Sequence, residues 1–343
     1  MSKSLFIPSW ETINKKHLYQ FEYFSKFFTN IFIITTNNYT DLSKINKNNN
    51  IEIFLKNNFF YRLIKYISFL IKNKNTDNYA ILSPYGLSSI LFFMISKIFY
   101  LKIISVEWGV IDLYEKKTFL ERLFVNIIFK NSKAIWFKEP YMKKKLKKFK
   151  NQNLFFINNS IKPLPFFKNK EIDQSSVDFL WVNRFADSRT PEVPIKALLK
   201  LKERYRFRAV FLGDIDDKFS YLNQYEEFKI YNYKDPIKFY KKSRFFIGSG
   251  ARYFGNNALI EAMNYGLIPI VNESEDIEKI IDNNINGFLC QNNFDSFLNL
   301  FVLCLNMNKK NIDKLSFQAN RKISIRFSHI EWEKKMNNLL SNL

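Results

Sequence analysis

A chain of 343 residues is long for one hydrophobic core and comfortable for two domains. Its hydrophobic content of 47% excludes an intrinsically disordered protein, and its net charge of +21 favours anionic partners such as nucleic acid, acidic lipid or phosphorylated small molecules. The presence of only two cysteines, Cys290 and Cys304, argues against a disulfide framework or a zinc site and fits a reducing cytosol.

In the first half of the chain, short apolar runs alternate with longer helical patterns. The apolar runs predict strands at 4–8, 30–36, 51–55, 79–83, 102–106 and 134–137. The segments between them, such as 15–29, 58–73 and 115–130, predict helices. This alternation predicts a parallel sheet covered by helices on both faces. The most apolar run, 88–106, is interrupted by two lysines, so it predicts a helix followed by a strand, with a transmembrane helix as the minor alternative.

The alternation breaks in the middle of the chain and then restarts. Residues 161–176 contain two prolines, several polar residues and no periodicity, which predicts a linker. Further strands are predicted at 178–183, 208–213, 228–232, 244–249, 268–271 and 287–290, with helices near 191–203, 216–224, 235–242, 256–265 and 274–282. We therefore expect a first α/β domain over 1–160, a second over 177–325, and a carboxy-terminal helix over 326–343 that packs back on the first domain.

Two arginines follow the first strand of the second half. Ligands of open α/β sheets bind outside the carboxyl ends of the strands, so functional residues are expected in such loops. Arg184 and Arg189 lie five positions apart there, and two guanidinium groups can hold a diphosphate. Two solvated arginines are the alternative in so basic a chain.

The segment 248–271, GSGARYFGNNALIEAMNYGLIPIV, clusters three of the chain's eight glycines directly before a helical pattern. Gly250 and Gly255 allow a close approach of the backbone to a ligand, and Asn256 or Asn257 can cap the helix. The amides at the start of that helix favour an anion.

Glu261 lies about one turn into the same helix. A carboxylate there can accept two hydrogen bonds from a vicinal diol such as ribose. The alternative is an exposed glutamate beside an ordinary turn. Together with the arginines and the glycine loop, Glu261 completes the pattern of a site for a nucleotide diphosphate.

Several segments of the second half follow one family's pattern: WVNRFADSR (181–189), VFLGD (210–214), the glycine-rich segment 248–271, and IEKIIDNNINGFLC (277–290). INNSI (157–161) is similar to the end of that family's first domain. On these residues the chain resembles the group 1, family-4-like glycosyltransferases of the GT-B fold. The resemblance implies an α/β protein of two Rossmann-like domains that face each other across a cleft, with 1–160 binding the acceptor and 177–325 binding the nucleotide sugar.

The resemblance also implies roles for matching positions. Arg184 and Arg189 would contact the donor diphosphate, Glu261 the nucleotide ribose, and the loop amides the phosphates or the donor sugar. Tyr253 stands where the family has a glutamate that holds the donor sugar, so donor choice or activity is expected to differ. The implied donor-binding residues are Arg184, Arg189, Gly250, Tyr253, Gly255, Asn256, Asn257 and Glu261.

We therefore expect an enzyme that transfers a glycosyl group from a nucleotide-diphosphate sugar to a glycan or lipid-linked acceptor in surface polysaccharide biosynthesis. No metal and no other cofactor are expected, because fixed cations and helix amides can stabilise the charge that grows on the leaving diphosphate. Most members of the family keep the anomeric configuration, so retention is expected.

An inverting transferase is the alternative, and it needs a base from the first domain. Glu107, at the end of the strand at 102–106, is the best candidate, with Glu11 and Asp112 weaker. Glu107 could instead be a strand-end acid that caps the next segment. His17 is expected at the surface.

Three other functions stay open. A UDP-sugar epimerase of the same fold would need more acid pairs and histidines than the chain's two histidines provide. A nucleic-acid binder is not expected, because neither a recognition helix nor an aromatic platform is found. A non-catalytic partner is suggested by Tyr253.

Two basic and aromatic segments, 59–74 and 141–150, predict attachment to an anionic membrane. The alternative is a buried apolar face with solvated lysines. Because the first ten residues lack a signal-peptide pattern, we expect a cytoplasmic protein, peripheral at the inner face of the membrane.

Overall fold

The structure is a computed structural model in which residues 2–8, 12–13, 15–38, 50–108, 111–151, 153–166, 176–183, 185, 187–214, 217–232, 234–250 and 256–343 are described. The chain divides into two compact units. The first unit comprises Met1–Asn159 and Trp332–Leu343, and the second comprises Ser160–Glu331.

The first unit is built on a parallel sheet of seven strands. Its strands are β1 (Lys3–Ile7), β3 (Asn30–Thr35), β5 (Ile51–Leu55), β6 (Asp77–Leu82), β7 (Lys102–Glu107), β8 (Ala134–Phe137) and β9 (Leu154–Phe156). Their order in the sheet is β5-β3-β1-β6-β7-β8-β9. Two short strands, β2 (Thr12–Ile13) and β4 (Asn37–Asn38), pair with each other apart from it.

Helices cover both faces of this sheet: α1 (Lys15–Phe24), α2 (Phe59–Lys72), α3 (Leu87–Ile98), α4 (Phe119–Asn131), α5 (Met142–Leu146) and α11 (His329–Ser341). Alternate strand residues serve different cores. Leu5 and Ile7 share a core with α1 and α11, whereas Phe6 shares one with α2, α3 and α4. Burial on both faces explains why the strands are continuous apolar runs.

The second unit repeats the plan with six parallel strands. They are β10 (Val177–Val182), β11 (Ala209–Leu212), β12 (Phe228–Tyr231), β13 (Ser243–Gly248), β14 (Ile268–Asn272) and β15 (Phe288–Cys290), in the order β12-β11-β10-β13-β14-β15. Its helices are α6 (Glu192–Leu201), α7 (Ile237–Lys242), α8 (Asn257–Asn264), α9 (Phe294–Leu305) and α10 (Lys309–Arg326). The strand order reverses between β10 and β13, so the loops after these two strands lie side by side at the carboxyl edge.

The predicted fold class, two Rossmann-like α/β domains, is confirmed. Every strand predicted from the apolar runs is present, and the run 88–106 forms α3 followed by β7. Among the residues that the structure describes, no helix is long and apolar enough to cross a bilayer.

Three local predictions were wrong. The segments 216–224 and 274–282 form 3-10 turns, at Asp217–Gln224 and Ile277–Lys279, where helices were predicted. His17 is 6% exposed and therefore buried. Its ring lies 6.2 Å from that of Phe21, one turn along α1, and 6.4 Å from that of Trp108. Because Trp108 is distant in sequence, local periodicity could not show this burial.

Candidate active site

The loops that follow β10 and β13 are in direct contact at the carboxyl edge of the second sheet. The Ser249 hydroxyl donates to the backbone carbonyl oxygens of Arg189, at 2.7 Å, and Thr190, at 3.0 Å. Gly250 has a φ of +138°, and a Cβ at this position would lie 2.6 Å from the carbonyl oxygen of Ser188. Only glycine combines this conformation with so close an approach. The structure thus joins the Arg189 loop to the glycine loop.

Asn272, the last residue of β14, holds the Gly250 peptide unit from the other side. The Gly250 amide donates to Asn272 Oδ1 at 2.8 Å, and Asn272 Nδ2 donates to the Gly250 carbonyl oxygen at 3.0 Å. The Asn272 side chain is buried, so these bonds satisfy polar groups that would otherwise lose water without replacement. Sequence reasoning missed this residue; the signal was a polar side chain ending the buried apolar strand IPIVN.

Helix α8 begins directly after the glycine loop. Asn256 has extended backbone angles, and its Oδ1 accepts from the Leu259 amide at 3.2 Å, so Asn256 is the cap and Asn257 is the first helical residue. The amino end of α8 therefore presents its partial positive charge at the carboxyl edge of the sheet, where an anion would be stabilised.

Glu261 is half-buried, one turn inside α8. Its Oε2 accepts a hydrogen bond from the Tyr240 hydroxyl at 3.3 Å. Tyr240 is a fully buried residue of α7, and its ring stacks on that of Tyr265 with centroids 5.5 Å apart. Burial raises the pKa of the Tyr265 hydroxyl, and the charges of Asp235 and Glu261 raise it further. Tyr240 thus positions Glu261, a role that no sequence signal distinguished among the chain's many aromatic residues.

Arg189 ends a 3-10 turn, Asp187–Arg189, and its side chain is partly exposed. The next residue, Thr190, has a φ of +41° and exchanges hydrogen bonds with the Asn292 side chain, with Nδ2 to Oγ1 at 3.1 Å. The arginine is therefore carried by a turn fixed on both sides. Of the other predicted donor-binding residues, Arg184, Tyr253 and Gly255 lie outside the described residues.

Glu107, the predicted base for an inverting reaction, lies in the first unit at the end of β7 and is 0% exposed. Its Oε2 accepts from the Tyr85 hydroxyl, and its Oε1 accepts from the Ile111 amide at 3.0 Å. The second bond places Glu107 at the start of the 3-10 helix Ile111–Lys116, as in the capping alternative. Burial, and then the charge of Glu107, raise the pKa of the Tyr85 hydroxyl.

The two weaker base candidates differ from Glu107. Asp112 accepts hydrogen bonds from Tyr141, at 2.7 Å, and from Lys145. Glu11 lies outside the described residues.

Neither metal ligation nor cysteine chemistry finds support in the described part of the chain. There, no group of three or more histidine, cysteine or carboxylate side chains could hold a metal ion. Cys290 and Cys304 are free thiols and buried. Burial raises the pKa of both, that of Cys290 to about 12, so neither is a reactive thiolate at neutral pH.

Two doubly wound units, the second with contacting loops at its switch point, are the architecture of the GT-B fold. The family model described as "Glycosyl transferases group 1" matches residues 165–311. The resemblance seen in the sequence is thus confirmed: the chain has the GT-B fold, and residues 165–311 match the family model of the group 1 glycosyl transferases. No curated protein sequence matches the chain.

Solved structures extend the likeness in fold to the whole chain. HepE of Anabaena, in complex with UDP and glucose, has a TM-score of 0.77 at 12% identity, with 100% of both chains covered. The lipopolysaccharide outer core galactosyltransferase WaaB, in its apo form, has a TM-score of 0.68 at 16% identity, again with 100% of both covered. A sucrose-phosphate synthase from Thermosynechococcus elongatus has a TM-score of 0.73 at 12% identity, over 99% of this chain and 98% of the other.

Proposed function

We propose that the protein transfers a sugar from a nucleotide-diphosphate sugar to a hydroxyl group of a glycan or lipid-linked acceptor. One observation carries the proposal. The Arg189 turn and the Ser249–Gly250 loop are locked together at the switch point of the second sheet, next to the amino end of α8. A cation and a helix terminus at one strand edge suit a diphosphate.

The residues of the proposed site have different roles in donor binding. Arg189, together with Arg184 as the resemblance implies, would neutralise the diphosphate oxygens, and the first amides of α8 would donate hydrogen bonds to them. Glu261 would accept from the ribose hydroxyls while Tyr240 holds its carboxylate. The backbone at Gly250 would lie close to the phosphates because its peptide unit is fixed by Asn272.

The reaction breaks the bond between the anomeric carbon and the distal phosphate oxygen and forms one to the acceptor oxygen. We propose retention, in which the departing phosphate takes the acceptor's proton and no protein base is needed. The hydrogen bonds at both carboxylate oxygens of Glu107 support this choice, since they suit a structural group better than a base. Negative charge on the leaving diphosphate would be stabilised by arginine and helix amides, without a metal.

The relatives suggest where to look for donor and acceptor. HepE was solved with UDP and glucose, and WaaB is a lipopolysaccharide galactosyltransferase. We therefore propose a uridine-diphosphate hexose as the first donor to test. A surface-glycan acceptor at the cytoplasmic face of the membrane is the matching proposal for the acceptor.

A thermal-shift screen with UDP and with UDP-, GDP-, ADP- and CMP-sugars tests donor binding. A ligand at 100 times its dissociation constant should stabilise the protein by about 2.7 kcal/mol. Arg189→Ala should weaken nucleotide binding roughly 10- to 100-fold, because it removes charge-assisted hydrogen bonds.

Arg206→Ala is the matched control for that variant. Arg206 is an exposed arginine between α6 and β11, at the opposite edge of the same sheet, and its loss should leave binding unchanged. If no nucleotide raises the melting temperature, or if both variants respond alike, the proposed site is wrong.

A further inference from the structure

Helices α2, α3 and α4 form one layer on a single face of the first sheet. Their inward side chains share a core, with Tyr66 and Phe69 from α2, Phe92 and Phe93 from α3, and Ile128 from α4. Helix α3 lies between the other two and contacts both. The opposite sides of the three helices therefore form a continuous outer surface.

The outer side of α3 is an apolar stripe. Leu87, Leu91, Met94 and Ile98 are spaced four, three and four residues apart, so they lie on one side of the helix. They are 57%, 42%, 54% and 69% exposed. A helix that covers a sheet normally has polar residues on its outer side, so α3 requires an explanation beyond folding.

Two serines of α3 lie on the opposite, inner side. Ser89 and Ser96 are buried, and Ser96 Oγ lies 2.6 Å from the Tyr66 hydroxyl and donates to the Phe92 carbonyl oxygen at 2.6 Å. The inner side of α3 also carries the buried Ile90, Phe92 and Phe93, so the helix is apolar on both sides. A helix whose outer side faces water normally has polar residues there.

The two neighbouring helices extend the stripe. Large apolar side chains of α2 and α4 are also exposed on the same layer: Phe60, Tyr61, Ile64 and Ile71 from α2, and Phe119, Leu120, Leu123 and Ile127 from α4. With the four residues of α3, these form what we call the outer face. Apolar surface of this extent is unusual on a soluble protein and marks a site of interaction.

Basic residues accompany the outer face. The three helices carry six basic residues and one acid, Glu121. Lys72, Lys97 and Lys130 are exposed in the last turns of α2, α3 and α4. The 3-10 turn Lys147–Phe149 contacts α4, which brings the cationic run 141–150 beside the layer.

The lysine side chains also fit an interface between water and an apolar phase. The ammonium groups of Lys65 and Lys97 lie 4.5 Å and 5.8 Å from the ring centroids of Phe69 and Phe93. Lys65 also lies 3.5 Å from Glu52, so it is paired. Long cationic side chains that lie along apolar surface can place their charges at a headgroup layer while the neighbouring leucines enter the acyl region.

We propose that the outer face docks on an anionic phospholipid bilayer. Aliphatic and aromatic side chains of α2, α3 and α4 enter the headgroup region, and the lysines at the helix ends bind lipid phosphates. The inference rests on the proposed function for its purpose, delivery of the active site to a lipid-linked acceptor. The lipid contact itself requires no catalysis. Positive charge selects a membrane over a second copy of this basic chain, which would repel it.

Co-sedimentation with vesicles of phosphatidylethanolamine and phosphatidylglycerol tests the proposal. Replacing Leu91, Met94 and Ile98 together by Gln should lower partitioning roughly 100-fold, since three apolar side chains lose their lipid contact. The matched control replaces Ile285, Leu303 and Ile325, comparably exposed apolar residues of the second unit, by Gln and should partition as the wild type does.

Charge is tested separately, with changes that leave the apolar surface intact. Replacing Lys72, Lys97 and Lys130 by Gln should also lower partitioning roughly 100-fold. The same change at three exposed lysines of α10, Lys309, Lys310 and Lys314, is the control and should have a small effect. Wild-type binding should fall with added salt and be weak on phosphatidylcholine.

The outcomes separate this proposal from the proposed function. A UDP-induced rise in melting temperature, measured on each variant, reports that the second unit is folded and binds nucleotide. If nucleotide binds while the wild type ignores vesicles, or binds them as its apolar variant does, docking is overturned and the transferase proposal stands. The wild type could instead sediment as a dimer and the apolar variant as a monomer, with equal vesicle binding. In that case a second copy covers the outer face and the membrane proposal is wrong.

Discussion

The two units have one architecture and different surfaces. Each is a parallel sheet whose strand order reverses once, with helices on both faces. In the second unit, the loops at the reversal are locked by Ser249, Gly250 and Asn272, and exposed large apolar side chains are scattered over several helices and loops. In the first unit, the exposed large apolar side chains are concentrated on α2, α3 and α4.

This difference shows that two units with one fold can differ in function. The function depends on the residues at the strand ends and on the outer sides of the helices. The hydrophobic cores of the two units have similar compositions, and both are rich in Phe, Ile and Leu. What differs is whether polar groups converge at a strand edge or apolar groups converge on a helix layer. The first arrangement suits a small anionic ligand, and the second suits a large flat partner.

The largest effect on stability and nucleotide binding is expected from a substitution of Gly250 in the second unit. Gly250→Ala should lower the free energy of unfolding by about 2–4 kcal/mol, because a Cβ would overlap the Ser188 carbonyl oxygen in a strained conformation. Nucleotide affinity should fall strongly, since the two loops would separate. Chemical denaturation and UDP titration measure the two effects.

Gly86→Ala in the first unit is the matched control. Gly86 also has a positive φ, +90°, but a Cβ there would meet only the Ser88 hydroxyl at 3.9 Å. Strain alone should cost about 1 kcal/mol and leave UDP binding unchanged. Equal losses in the two variants would show that loop contact plays no part.

A second test compares one carboxylate from each unit. Glu107→Gln should lower the free energy of unfolding by about 1–3 kcal/mol, because the amide cannot accept from both Tyr85 and Ile111. Turnover of the folded variant should be nearly unchanged. A loss of turnover of roughly 100-fold or more would instead make Glu107 a base and the reaction an inverting one.

The partner variant, Glu261→Gln, should behave in the opposite way. Its stability should change little, since Glu261 is half-exposed, while KM for the nucleotide sugar rises roughly tenfold or more through the lost charge-assisted hydrogen bonds. Steady-state kinetics and thermal denaturation on both variants give the comparison. If Glu261→Gln has the KM of the wild type, its ribose contact is wrong.

The smallest effect is expected at Tyr240. Tyr240→Phe keeps the stacking on Tyr265 and removes the hydroxyl that donates to Glu261 and to the Ala258 carbonyl oxygen. KM should rise roughly fivefold, because the lost hydrogen bond contributes about 1 kcal/mol to binding. The value of kcat should not change, since Tyr240 only positions Glu261. Tyr205→Phe, in the same unit, is the control and should not alter KM. A fall in kcat would mean that Tyr240 acts in the chemical step.

Much of the fold could be predicted because its signals are local. Apolar runs bounded by polar turns located every strand of the two large sheets except β9, and the loops after β10 and β13 were found because strand ends are where such sheets bind ligands. The resemblance to the group 1 glycosyltransferases then implied roles for Arg189 and Glu261. These features depend on residues within a few positions of one another.

The features that escaped prediction depend on distant contacts. Asn272 fixes Gly250 from 22 positions away, and Tyr240 reaches Glu261 from 21. His17 is buried because Trp108 covers it. The outer side of α3 was missed for another reason: an apolar helix gives the same pattern whether its second side faces protein or lipid.

The carboxy-terminal residues carry one further consequence. Trp332, Met336 and Leu339 of α11 are buried in the core of the first unit, although the whole second unit, Ser160–Glu331, separates them from Asn159 in the chain. During synthesis, the amino-terminal half leaves the ribosome with a gap in that core. At about 5–20 residues per second the gap persists for on the order of ten to thirty seconds, during which Trp332 does not yet cover Tyr19, Tyr23 and Trp136.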